Sequence, residues 1–232
     1  MRRTKQRRWE ENTGFACVHQ PSIREIKAGG TYMRGDWASE VLGTQGPIAL
    51  ELGCGSGAVT LALARRDPSR GVVGVDIKGH RFWLGAKTAL AEGLDNVAFL
   101  RARIEYIDHY FGPDEVDEIW LTFSDPQPKD EKGTKRITSP VFLRRYSRFL
   151  TEDGRVHVKT DSALVYERTR DEAAQAGFEV AVASEDVHGD LIHRTPAELA
   201  DLLAVQTRFE ERWRADGARI RYLQLRSQHP GT

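Results

Sequence analysis

The chain has 232 residues, 40% of them hydrophobic and 29% charged, a length and composition suited to one α/β domain with a well-buried core. Its 34 basic and 34 acidic residues cancel, which excludes a global field for a polyanion and leaves any nucleic-acid contact to local patches. No apolar run approaches the roughly 20 residues that span a bilayer, and Cys17 and Cys54 make no disulfide framework, so a cytoplasmic protein with no membrane association is expected.

In chain order, residues 1–30 are polar, and residues 1–40 form the first segment. They open with five basic residues in the seven from Arg2 to Arg8 and carry Gly29-Gly30. This segment reads as a basic N-terminal arm or lid, without the apolar stretch of a secretory signal. Residues 41–232 read as the single folded domain. From Ile48 onward strand and helix signals alternate, the pattern of a mostly parallel sheet with helices on both faces. Strands are expected near Ile48–Leu52, Val72–Asp76, Val97–Leu100, Glu118–Phe123, Arg155–Lys159, Phe178–Ala183 and Arg219–Leu225. Helices are expected near Ala58–Arg65, His80–Glu92, Pro140–Leu150, Ala163–Ala176, Pro196–Val205 and Phe209–Ala215.

The first strand runs into Glu51-Leu52-Gly53-Cys54-Gly55-Ser56-Gly57 and then an apolar helix. Gly53, Gly55 and Gly57 let the backbone turn tightly and approach a ligand at the carboxyl end of a strand, where open α/β sheets bind ligands. The second strand ends in Asp76, 19 residues after Gly57, placed to accept both hydroxyls of an adenosine ribose. Glu51 ahead of the loop suits a ligand carrying a sulfonium and an amino group, and would repel a pyrophosphate. The pattern therefore points to S-adenosylmethionine rather than a dinucleotide, and to a seven-stranded, Rossmann-like class I methyltransferase sheet.

After the fourth strand comes Phe123-Ser124-Asp125-Pro126-Gln127-Pro128-Lys129. This block resembles the F-S-D-P-W-P-K segment of the tRNA (guanine-N7)-methyltransferases. Three further pieces of that family recur in order: Lys159-Thr160-Asp161, Thr207-Arg208-Phe209-Glu210, and Gly217 before a last strand. The resemblance covers roughly residues 48–226. It implies that Glu51 and Asp76 bind the methyl donor and that Asp125 is catalytic, beside both donor and target base. It likewise implies that Lys129, Asp161, Thr207 and Glu210 contact the substrate. No metal is called for, because guanine N7 attacks with a free lone pair and the site mainly aligns the reactants and stabilises charge.

Departures from the family concern the acceptor side. Gln127 stands where the family usually has Trp. Asp130 and Glu131 open a loop that is basic in the family, and Arg103 takes the place of an Asp near the adenine ring. Two readings follow. In one, a monomer or homodimer methylates guanine N7 in tRNA, with Arg2–Arg8, Lys132, Lys135 and Arg136 on phosphates. In the other, a repurposed relative methylates a nitrogen of a small heterocycle, amine or guanidine, and Trp9, Tyr32 and Trp37 fold over the pocket; the same aromatics also read as core anchors for the arm. A continuous positive surface at the pocket mouth is expected of the first, and a narrow lidded pocket of the second.

Overall fold

Short apolar runs without strict alternation mark strands covered on both faces, and they form the centre of the computed structural model. It describes residues 2–228, the side chains of Arg2, Arg3, Arg208 and Phe209 excepted. In chain order the strands are β1 (Val18–His19), β2 (Ile48–Leu52), β3 (Gly71–Val75), β4 (Val97–Leu100), β5 (Val116–Thr122), β6 (Leu150–Thr160), β7 (Phe178–Ser184) and β8 (Arg221–Ser227). They lie in the order β1-β4-β3-β2-β5-β6-β8-β7. All pairs out to β6 are parallel, and β8 runs antiparallel to both β6 and β7.

The helices are α1 (Arg2–Glu11), α2 (Ile23–Lys27), α3 (Ala58–Arg66), α4 (Gly79–Glu92), α5 (Pro140–Tyr146), α6 (Ala163–Glu172), α7 (Ala197–Ala204) and α8 (Arg208–Ala215). Successive strand residues point to opposite faces. Ile48, Leu50 and Leu52 of β2 therefore join one core with Phe142 and Tyr146 of α5, whereas Ala49 joins the other with Val59 of α3 and Phe82 of α4.

The sheet has eight strands, not the seven expected. The additional one is β1, a two-residue strand from the N-terminal segment laid parallel on the outer edge of β4, with Val18 opposite Phe99 and His19 opposite Leu100. Two residues carry no readable period. The expected helix to Leu150 ends at Tyr146, because Leu150 already pairs with Val116 as the start of β6.

Residues 1–40, expected as an arm or lid, dock against the domain wherever they are described. Asn12 donates to the Gly79 carbonyl (2.9 Å), and Trp83 Nε1 donates to the Glu11 carboxylate (2.6 Å). Arg8 lies 4.8 Å over the Trp83 ring. Trp37 is fully buried, donates to the Tyr110 carbonyl (2.8 Å) and stacks on Phe111. Tyr32 packs against the same core and bonds His19 at 2.9 Å. Tyr32 and Trp37 are core anchors, not a cover over a pocket. No helix among the described residues is long and apolar enough to cross a membrane.

Candidate functional site

The sheet order reverses between β2 and β5. At the carboxyl ends of these strands lies a cavity of about 450 Å³, the position and size expected for a small-molecule site in an open α/β sheet. Gly53 and Asp76 form one side, Ala102 and Ile104 a second, and Phe123, Ser124 and Asp125 a third. The glycine loop and the F-S-D block, far apart in sequence, thus meet in one crevice.

The three glycines divide their labour. All have positive φ. A Cβ on Gly53 or Gly55 would meet nothing within 4 Å, so their backbone faces open space. One on Gly57 would strike Phe99 at 2.6 Å. Gly57 is thus there for close packing of α3 on the sheet rather than for ligand approach. Asp76, only 5% exposed, accepts from Gly55 N (3.1 Å) and Lys78 N (2.8 Å), which locks its carboxylate toward the crevice with further lone pairs to spare.

Glu51 does not line the cavity. It is buried, accepts from Thr60 N (2.8 Å) and Thr60 Oγ1 (2.5 Å) with one oxygen, and accepts from Thr122 Oγ1 (2.8 Å) with the other. Its role is to tie β2, β5 and the first turn of α3 together. A carboxylate already on the α3 N-terminus also closes that helix end to a pyrophosphate, which needs the same N–H groups. Burial pushes this carboxyl up to about 7, against the lowering hydrogen bonds from Thr60 and Thr122, with the Asp76 charge adding to the rise.

Because the folded value lies above the unfolded one, the stability Glu51 contributes is complete at acid pH and declines as pH rises toward 7. Glu51→Gln should therefore lose less thermal stability than the parent between pH 5 and pH 7.5. A melting-temperature gap that stays constant across that range would exclude this titration.

Asp125 is exposed on the loop after β5, and its Oδ1 accepts from Gln127 N (3.1 Å). Ser124 Oγ, beside it, is buried with no hydrogen-bond partner although it lines the cavity. Arg103, at the cavity rim, pairs with Glu105 (3.0 Å). Lys78, Arg81 and Lys135 are exposed along the same cavity, whose lining also includes Glu105 and Asp125; Lys135 alone of the three was expected to face phosphates.

The loop that follows corrects two expectations. Asp130 is buried and accepts from the backbone N–H of Thr134 (3.0 Å), Lys135 (2.6 Å) and Arg136 (2.9 Å). Burial alone would push its carboxyl up, but these donors outweigh it and hold it at about 2. The acid organises the loop instead of opposing phosphates. Arg136, expected on phosphate, is 2% exposed and paired with Glu172 at 2.6 Å. Lys129, Lys132 and Lys135 remain exposed.

Of the other expected substrate residues, Asp161 follows β6 and is half-buried, just before Ser162, which caps α6. Thr207 caps α8 by accepting from Glu210 N (3.2 Å). Glu210 departs most from expectation. It is fully buried, with its carboxylate on Lys159 Nζ (2.8 Å) and His188 Nε2 (2.8 Å). Lys159 Nζ also donates to the carbonyls of Leu203 (2.7 Å) and Val205 (2.9 Å). Glu210 thus holds the α7–α8 corner onto β6 rather than facing a substrate. Lys159, which opens the Lys159-Thr160-Asp161 motif, carried no expected role, and His188 was missed because nothing in its neighbourhood marks a buried carboxylate.

A family model described as "Putative methyltransferase" matches residues 45–223. The chain is 41% identical over 224 residues to a tRNA (guanine-N(7)-)-methyltransferase of Christiangramia forsetii, spanning 97% of this chain and 98% of the relative. It is 44% identical over 200 residues to the protein of the same name from Bacteroides thetaiotaomicron, spanning 86% of this chain and 76% of the relative. Among solved structures, the 16S rRNA methyltransferase KamB is similar in fold, with a TM-score of 0.62 at 19% identity over 84% of this chain and 94% of that one.

Proposed function

The chain belongs to the methyltransferase family to which these tRNA (guanine-N7)-methyltransferases belong, and from that premise we propose that it transfers a methyl group from S-adenosylmethionine to N7 of a guanine in tRNA. The observation that carries the reading is the convergence of Gly53, Asp76, Ser124 and Asp125 on one crevice at the reversal point of the sheet. The crevice fits the donor by its own chemistry. The space over Gly53 and Gly55 is open, and the unpartnered Ser124 hydroxyl waits for a polar group.

When bound, S-adenosylmethionine supplies an electrophilic methyl group carried on a sulfonium. Asp76 would accept the ribose hydroxyls, Gly53 and Gly55 would let the chain pass close to the methionine portion, and Ile77, Ala102 and Ile104 would flank the adenine. Arg103 stands at the open edge of that slot. Asp125 holds a negative charge where the acceptor base must enter. It has no proton to remove, since N7 is unprotonated at neutral pH; its charge offsets the positive charge that the guanine ring acquires.

Lys129, Asp161 and Thr207 are assigned to the acceptor side by their position in the family motifs. The exposed Lys78, Arg81 and Lys135 along the cavity suit phosphates of a polyanionic acceptor, and the absence of Tyr32 and Trp37 from the pocket mouth fits an open site. Cys17 and Cys54 are both free, in keeping with a reducing cytoplasm. Incubation with labelled donor and unmodified tRNA, followed by nucleoside mass spectrometry, should yield 7-methylguanosine. Label transferred only to small metabolites would displace tRNA as the acceptor.

A further inference from the structure

Next to the donor crevice, between α1 and the turn after β3, lies a second and shallower cleft of about 410 Å³. Lys5, Trp9, Ile77, Lys78, His80 and Arg101 line it, and no carboxylate does. Two large apolar side chains stand open among these cations, Trp9 at 47% and Ile77 at 40% exposed. A chain of zero net charge has no general reason to gather so much positive charge around an exposed indole.

The docking of α1 explains why these residues point here. Arg8 and Glu11 face α4, where they engage Trp83, and Arg7 is tied to Glu11 at 3.2 Å. Lys5 and Trp9, four residues apart, share a different face of the helix, the one that lines the cleft. The Arg101 guanidinium lies 5.3 Å over the Trp9 ring and holds it in place. Burial, joined by the charges of Lys5, Arg81 and Lys78 and opposed by that of Asp76, lowers the His80 imidazole. Ile77 and Lys78 line both this cleft and the donor crevice, so the two are continuous.

We propose that this cleft receives unpaired tRNA nucleotides flanking the target guanine, with a base stacked on Trp9 against Ile77 and neighbouring phosphates on Lys5, Lys78 and Arg101. An aromatic face beside cations is the usual means of gripping single-stranded nucleic acid. The assignment rests on the tRNA reading above and extends it to a surface outside the donor site.

The test uses the whole protein and an unmodified tRNA transcript, with binding followed over a series of salt concentrations. Trp9→Ala should weaken tRNA binding by about 5- to 150-fold, the range for losing one stacked base, whereas Trp9→Phe should restore most of it. Lys5→Ala combined with Arg101→Ala should lower the slope of log affinity against log salt by about 1.4, near 0.7 per phosphate contact on an unpaired strand. Donor affinity measured by calorimetry should match the parent in all three, since none of these side chains lines the donor crevice.

Variants that bind tRNA with the affinity and salt slope of a parent that forms 7-methylguanosine would overturn the cleft alone. A parent that neither binds tRNA nor forms that nucleoside would overturn both assignments. Equal weakening of a free mononucleotide and of tRNA would mean a small-molecule site, and would also reject the proposal.

Discussion

Replacing Asp125 with alanine is expected to lower kcat by about 100-fold or more while leaving S-adenosylmethionine affinity close to that of the parent. Losing one preorganised electrostatic partner of a developing charge typically costs this much, about 2.7 kcal/mol of barrier. The carboxylate has two duties that must be separated. Its Oδ1 accepts from Gln127 N and shapes the loop, and its charge faces the crevice. Asp125→Asn keeps an oxygen for the Gln127 N–H but removes the charge. If the charge is what matters, Asn should be nearly as slow as Ala. If the loop shape is what matters, Asn should be close to the parent, and the catalytic assignment falls. Asp76→Ala supplies the contrast: it should weaken donor binding directly, because its carboxylate is fixed toward the crevice by Gly55 N and Lys78 N.

What was legible in the sequence is what local chemistry dictates. The apolar runs of β2 to β5 read clearly because strands covered on both faces tolerate little else, and the loop Gly53–Gly57 because its backbone conformations favour glycine. Asp76 was legible for the same reason, as the acid at the end of such a strand. Charged groups turned inward were not legible, because their partners lie far away in the chain. Glu51 reads as a ligand residue until Thr60 and Thr122 close around it. Glu210 reads as an acid in the first turn of a polar helix, and nothing nearby foretells Lys159, 51 residues earlier. Asp130 reads as an intruder in a basic loop, although its carboxylate is what gives that loop its turn. The N-terminal segment behaves likewise. Its composition predicts an arm or lid without saying where it attaches, and its anchors, Gly79 and Trp83, lie in α4, 67 and 72 residues from the groups that reach them.

Lys159→Met should be the most destabilising single change at the substrate end of the domain. The ammonium is 2% exposed and satisfies three acceptors, two of them carbonyls at the end of α7 and one the buried Glu210. Burial lowers the affinity of Lys159 for its proton, and Glu210 works against that loss. Removing one member strands a buried carboxylate that keeps His188 alone, a situation that costs about 3–5 kcal/mol. For a domain of this size that corresponds to a fall of roughly 6–20 °C in Tm. Lys159→Met combined with Glu210→Gln removes both charges and should recover part of the loss, although the Leu203 and Val205 carbonyls stay unpaired. Function should follow the same path. Lys159 Nζ lies 5.7 Å over Phe123, whose ring meets Trp213 of α8 at 5.3 Å, so the corner braces the residue two positions before Asp125. The single variant should thus raise KM for tRNA at temperatures where it is still folded. A double variant no more stable than the single one would show that the stranded charge is not the source of the loss, and that Lys159 acts only through the two carbonyls.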